Sequence, residues 1–179
     1  MRFAPLQVAQ AAVAFLQIVR DPNKLEKVFE LRSSLENPKI LDPVIAALKT
    51  DPKAASAFRD RPRVGRVDLD ALARLPEGTL GHAFARFMRA QNLDPAAIPT
   101  LPGRTEYEFV SAHLYETHDI WHVVTGFGTD VAGELGLQAF TLAQLGTPLA
   151  YVLLAAGMLG TLFFDRDDGE RRMEAITRG

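Results

Sequence analysis

The chain has 179 residues, 47% of them hydrophobic, and a formal net charge of −2, enough length for one domain with a substantial core. That charge excludes a general electrostatic pull toward nucleic acid, so no nucleic-acid partner is expected. The absence of cysteine excludes disulfides and thiolate metal knots and fits a reducing compartment.

Helical periods recur along the sequence and strand-like alternation is nearly absent, so the predicted fold is all-α, a multi-helix bundle over a single domain, residues 1–179. The uncharged stretch 3–19 follows Arg2 as a secretory signal would, yet Gln7, Gln10 and Gln17 interrupt it. Leu6, Ala9, Val13, Leu16 and Val19 have the spacing of a packed helix with one buried face, so no signal or transit peptide is read and a cytoplasmic location is expected. Further helices are predicted at 23–35, 38–50, 52–59 and 68–75, with prolines marking starts or ends. Between them Arg59, Arg61, Arg63 and Arg66 crowd one loop, either a solvated loop or a contact for a small anion or phospholipid headgroup. Leu75-Pro76-Glu77-Gly78 makes a turn. The next predicted helix, 79–92, is one-sided through Leu80, Phe84, Phe87 and Met88. Residues 94–104 hold three prolines and read as a loop before a long helix at 105–125.

That long helix carries the most informative motif. His118 and His122 are four apart, so both imidazoles lie on one helical face and can reach one ion. Asp119 sits about 100° round the helix, able to lean toward the same ion or to support it from outside. On an unbroken helix Glu134 would lie roughly 18 Å beyond His122 at 1.5 Å per residue. It must return on a second helix, which Gly126 and Gly128 permit and Thr129 or Asp130 can cap. The expected metal site thus sits on a helical hairpin. Two imidazoles with one or two carboxylates suit Zn²⁺ first, and also Fe²⁺ or Mn²⁺. Such a site keeps an open position and reads as catalytic; the alternative is a pair of core histidines on a buried helix. Only Asp119 to His122 has the carboxylate-x-x-His spacing that dimetal bundles need twice, which favours one ion.

Residues 135–164 carry no charged side chain. Gln138, Gln144 and Pro148 divide the segment, and its cleanest apolar run, 151–164, falls short of the roughly 20 residues a bilayer requires. The readings are a wholly buried helix, a membrane-surface contact, or the wall of a lipid cavity lined by Leu153, Gly157, Gly160 and Phe163, where the glycines admit a close neighbour.

His118-Asp119-x-x-His122, eleven residues, then Glu134, resembles the signature of the coenzyme Q biosynthesis protein 4 family. Leu75-Pro76-Glu77-Gly78-Thr79-Leu80-Gly81 is similar to that family's PEGTLG turn, and Arg61-Pro62-Arg63 to an upstream RPR element. Glu116 and Gly133 also match, and the likeness runs over 51–164. His113 and Tyr115 stand where the family usually has arginines, and the chain stops at Gly179 where members usually continue into further helices. The resemblance implies an all-helical protein of ubiquinone assembly, with His118, Asp119, His122 and Glu134 as its metal site. It implies a polyprenylated hydroxybenzoate or quinone precursor as substrate and metal-dependent loss of the ring C1 carboxylate, with hydroxylation there in the same or the next step. His113 and Glu116 are candidates to move a proton. Expected partners are other ubiquinone biosynthesis enzymes, a second copy of the chain, and the cytoplasmic surface of a bacterial inner membrane.

Two other classes fit parts of the pattern. A hydrolase is one: His-Asp-x-x-His echoes zinc-protease spacing with a shorter acid, and a helical phosphohydrolase would recruit His82 and Asp165. The other is a scaffold that binds prenyl lipid without catalysis.

Overall fold

The computed structural model describes residues 4–35, 37–97 and 100–179. In chain order its helices are α1 (Pro5–Arg20), α2 (Leu25–Ser34), α3 (Asp42–Leu48), α4 (Pro52–Asp60), α5 (Leu69–Ala73), α6 (Leu80–Ala90), α7 (Glu106–Thr125), α8 (Val131–Leu145), α9 (Pro148–Phe164) and α10 (Gly169–Arg178). Short 3-10 turns occur at Pro38–Leu41, Pro95–Ala97 and Arg166–Asp168, and no strand occurs among the described residues. The fold is therefore all-α, as the periodicity predicts. Of the expected loop 94–104, Ile98 and Pro99 lie outside the described residues, as does Phe3 at the start of the uncharged stretch.

Local chemistry accounts for most helix starts. Prolines open α1, α4 and α9, where the missing N–H would have had no helical partner. The Asp51 carboxylate accepts from the N–H groups of Lys53 and Ala54 at the head of α4, and Asp68 does the same for Asp70 and Ala71 at α5. The single helix predicted over 38–50 is instead a 3-10 turn followed by α3. Pro43 brings no N–H to an α ladder running back to Lys39, so the ladder begins only at Asp42.

The chain forms two compact units. One joins the segment ending at Val44 to Phe127–Gly179, and the other is Ile45–Gly126. In the first, Ala14, Ile18 and Val19 of α1, Leu31 of α2 and Ala156 of α9 make a buried cluster, flanked by Ala11, Phe15, Val28 and Leu153. The expected buried stripe of α1 is thereby corrected: Leu6, Val13 and Leu16 are 70%, 55% and 64% exposed. The face of α1 that packs carries Ala11, Ala14, Phe15, Ile18 and Val19, and the close backbone approach on it is that of Gly160 to Val19.

The uncharged segment also resolves differently from a wholly buried helix. It is split into α8 and α9 at Gly146, whose φ of 61° ends α8, and no helix among the described residues is long and apolar enough to cross a membrane. α9 buries Ala150, Leu154, Ala156, Gly157 and Gly160, while Tyr151, Met158, Leu162, Phe163 and Phe164 stay exposed. A Cβ on Gly157 would stand 2.2 Å from the Leu135 side chain, and one on Gly160 would stand 2.7 Å from the Val19 carbonyl oxygen. Both glycines therefore serve close helix packing, of α9 on α8 and on α1.

α10 packs on α8, where a Cβ on Gly179 would meet the Gly136 carbonyl oxygen, and Arg178 lies 5.3 Å over the Phe127 ring. The buried Arg172 guanidinium of α10 donates to Asp168 at 2.7 Å, to the Thr161 hydroxyl at 3.1 Å, and to Asp165. In the second unit, Phe58 of α4 meets Phe109 of α7 edge to face at 5.7 Å, and α6 buries Phe84, Ala85 and Met88.

Candidate metal centre

α7 is the element that assembles the donors, and its sequence fixes both ends. Thr105 and Glu108 form a capping box: the Glu108 N–H donates to the Thr105 hydroxyl at 3.1 Å and the Thr105 N–H to the Glu108 carboxylate at 3.1 Å. Gly126 ends the helix in the left-handed region at φ 75°. Inside, Trp121 donates its indole N–H to the Thr117 hydroxyl at 3.1 Å, and Thr117 donates to the His113 carbonyl.

His118, Asp119 and His122 each present a ligand atom, and these atoms lie within 4.8 Å of one another. The two Nε2 atoms are 3.3 Å apart, with the rings edge to face at 4.9 Å and 86°. Two nitrogens bound about 2.05 Å from a tetrahedral ion would be separated by about 3.3 Å, so the pair fits a shared divalent ion. His122 is 1% exposed. Its ring is stacked on Phe87 of α6, centroids 5.8 Å apart and planes 17° from parallel. Asp119 and His118 are half-buried on the same helix.

Glu134 sits in the first turn of α8. Asp130, one of the two expected caps, accepts the Gly133 N–H at 2.9 Å and takes an ion pair from Arg171 at 2.8 Å. The Gly133 N–H and the Arg171 guanidinium hold the Asp130 carboxyl below its usual range.

The expected proton carriers lie earlier on α7. Arg63 grips Glu116 through Nε at 3.0 and 3.1 Å and again through Nη2, and the Val64 N–H donates to the same carboxylate at 3.1 Å. The Arg63 ion pair holds the Glu116 carboxyl below the usual carboxylate range. His113 keeps an exposed edge, but burial on its protein side pushes its imidazole pKa down, opposed by the nearby Glu116 carboxylate.

The arginine loop is neither merely solvated nor open to an anion at Arg61 and Arg63. Arg61 donates to the carbonyls of Gly103 and Arg104, and Arg63 to that of Leu101 at 2.8 Å. Of the proposed lipid wall, Leu153 packs against the α1 and α2 cluster, Gly157 and Gly160 meet neighbouring helices, and Phe163 is exposed. The phosphohydrolase partners are also engaged, since His82 Nδ1 lies 3.0 Å from the Leu75 carbonyl and Asp165 pairs with Arg172. Arg63 and Phe87 are the contributors that spacing missed. The RPR element hinted at the first, and Phe87 showed only as part of an apolar stripe.

Fold and donor set together define an all-helical protein that presents two imidazoles and a carboxylate on one helix. The sequence model of the coenzyme Q (ubiquinone) biosynthesis protein Coq4 family matches residues 4–176, and the chain belongs to that family. It is similar to the mitochondrial ubiquinone biosynthesis protein COQ4 homolog of Rattus norvegicus, 33% identical over 120 residues, 65% of this chain and 43% of the rat protein. The mitochondrial COQ4 of Eremothecium gossypii is 26% identical over 133 residues, 72% of this chain and 41% of the fungal one. The chain thus spans less than half the length of these relatives. A crystal structure of a putative ubiquinone biosynthesis protein from Nostoc punctiforme superposes with a TM-score of 0.79 at 32% identity, covering 96% of this chain and 81% of that one.

Proposed function

We propose that this chain acts in ubiquinone biosynthesis as a metal-dependent carboxy-lyase that removes the C1 carboxylate of a polyprenylated hydroxybenzoate, with or without hydroxylation at that carbon. The observation that carries the reading is the convergence of the ligand atoms of His118, Asp119 and His122 to within 4.8 Å of one another in a member of the Coq4 family. His118 and His122 would hold one divalent ion, Zn²⁺ first and Fe²⁺ or Mn²⁺ next, with Glu134 as a further ligand and Asp119 as ligand or orienting carboxylate. An ion held there would supply Lewis acidity toward an electron-rich aromatic carboxylate. C1 takes up a proton as the carboxylate leaves, and His113, whose pKa burial lowers, would relay that proton from solvent. We assign Glu116, bound to Arg63 and the Val64 N–H, to holding α7 in place rather than to donating a proton.

A second reading is favoured by the exposed apolar side of α9, with Tyr151, Phe163 and Phe164 more than half exposed. In it the chain is a prenyl-lipid-binding scaffold for other ubiquinone biosynthesis enzymes, held peripherally on a membrane surface or paired with a second copy. The test is CO₂ release from a prenylated hydroxybenzoate by the purified protein with Zn²⁺, Fe²⁺ or Mn²⁺. Loss of release in His122→Ala is the expected result, and full activity in that variant refutes the lyase assignment. An inactive wild type that binds prenyl lipid as well as His122→Ala does supports the scaffold.

A further inference from the structure

We propose that Phe87 is the positioning residue of the metal centre: its ring fixes the plane of the His122 imidazole and so aims Nε2 at the site shared with His118. The inference rests on the reading of His122 as a metal ligand. Two rings adjoin that imidazole at different angles, one of them through the Nε2 atoms 3.3 Å apart. His118 meets it edge to face at 86°, whereas Phe87 lies nearly parallel to it, 17° away, at 5.8 Å. An imidazole turns about its last side-chain torsion in a broad well, so a four-residue spacing brings the ring near the ion without setting its plane. The parallel ring of Phe87 removes that freedom. It also adds carbon cover to a histidine that is 1% exposed.

Phe87 is in turn held, because its neighbours Phe84 and Met88 on α6 are buried and the Thr79 hydroxyl caps that helix on the His82 N–H at 3.3 Å. The fixed element is thus a helix of the same compact unit as His118 and His122. Apolar and hydrogen-bonded groups behind a metal ligand set its orientation and the access of water, and losing such support weakens metal binding by about 10- to 100-fold. A half-buried stack without a hydrogen bond should fall at the low end, about tenfold.

The experiment titrates Zn²⁺ and Co²⁺ into the metal-free full chain, reading affinity by competition with a chromophoric chelator and ligand field from the Co²⁺ visible spectrum. His122→Ala comes first. If it binds Co²⁺ like wild type, the metal reading fails and takes this inference with it. If His122→Ala loses binding, Phe87→Leu should bind about tenfold more weakly with altered Co²⁺ bands, while Phe87→Tyr keeps both. A purely structural role would lower the melting temperature without moving the bands. Wild-type affinity and spectrum in Phe87→Leu, or equal losses in the Leu and Tyr variants, overturn the proposal. Should Phe87→Leu not fold, Phe87→Met removes the ring at similar volume. Ring-current shifts of the His122 ring protons in the wild-type protein give a readout that needs no variant, and their absence also overturns the stack.

Discussion

Replacing Gly133 by alanine sets two effects of opposite sign against each other. Gly133 is a helical residue of α8, directly before Glu134, and in a helix alanine is favoured over glycine by about 1 kcal/mol. Against this, a Cβ at position 133 would stand 2.0 Å from the Gly128 carbonyl oxygen, 2.6 Å from its carbon and 2.8 Å from its nitrogen. All three are backbone atoms, so no rotamer change relieves the overlap. The turn or the first turn of α8 must recede by about 1 Å merely to reach the closest contacts that packed interiors tolerate. Overpacking costs about 1–3 kcal/mol, and a rigid backbone neighbour belongs at the upper end. After the propensity gain, Gly133→Ala should be about 2 kcal/mol less stable, a fall of about 4–8 °C in melting temperature for a chain of this size. Urea and thermal unfolding followed by circular dichroism measure it. A variant as stable as wild type, or more so, would show that propensity wins and that the close approach of Gly128 and Gly133 carries no constraint.

Two further outcomes follow from capping and charge. Thr105→Ala removes one half of the α7 capping box and should cost about 1 kcal/mol, with Thr105→Ser restoring most of it in the same unfolding assay. Asp168, chelated by Arg171 and Arg172, has its carboxyl pKa lowered to about 2 from 3.8. Because the folded value is the lower one, the stability it contributes is present above pH 3.8 and is lost as pH falls toward 2. Asp168→Asn should therefore be less stable at neutral pH and lose less on acidification through that window; parallel melting curves for the two proteins from pH 5 to 2 would contradict the linkage.

The residues whose partners are near in sequence were the ones spacing could read. His118, Asp119 and His122 converge because one helical turn brings them together, and Asp130 caps α8 because a short acceptor stands before an apolar run. Where helix met helix, periodicity was ambiguous. On α1 apolar residues fall on more than one side, and the side that packs is that of Ala14, Ile18 and Val19, not that of Leu6, Val13 and Leu16. α10 is not marked by an apolar run because its anchor is polar: Arg172 is buried through Asp165, Asp168 and Thr161, with only Ala175 buried beside it. The stack of Phe87 on His122 joins two helices far apart in sequence, beyond the reach of any local rule.

The three donors on α7 occupy a stretch of only five residues, 118–122, and this bears on when such a site comes into being. Bringing distant residues together requires closing a loop and slows folding as the separation grows. Between His118 and His122 there is no loop to close, since winding the helix is itself the act of assembly. Under the proposed metal reading, an ion held by this pair would add to the stability of α7 wherever that helix is formed, and loading and folding of this segment would be thermodynamically one process.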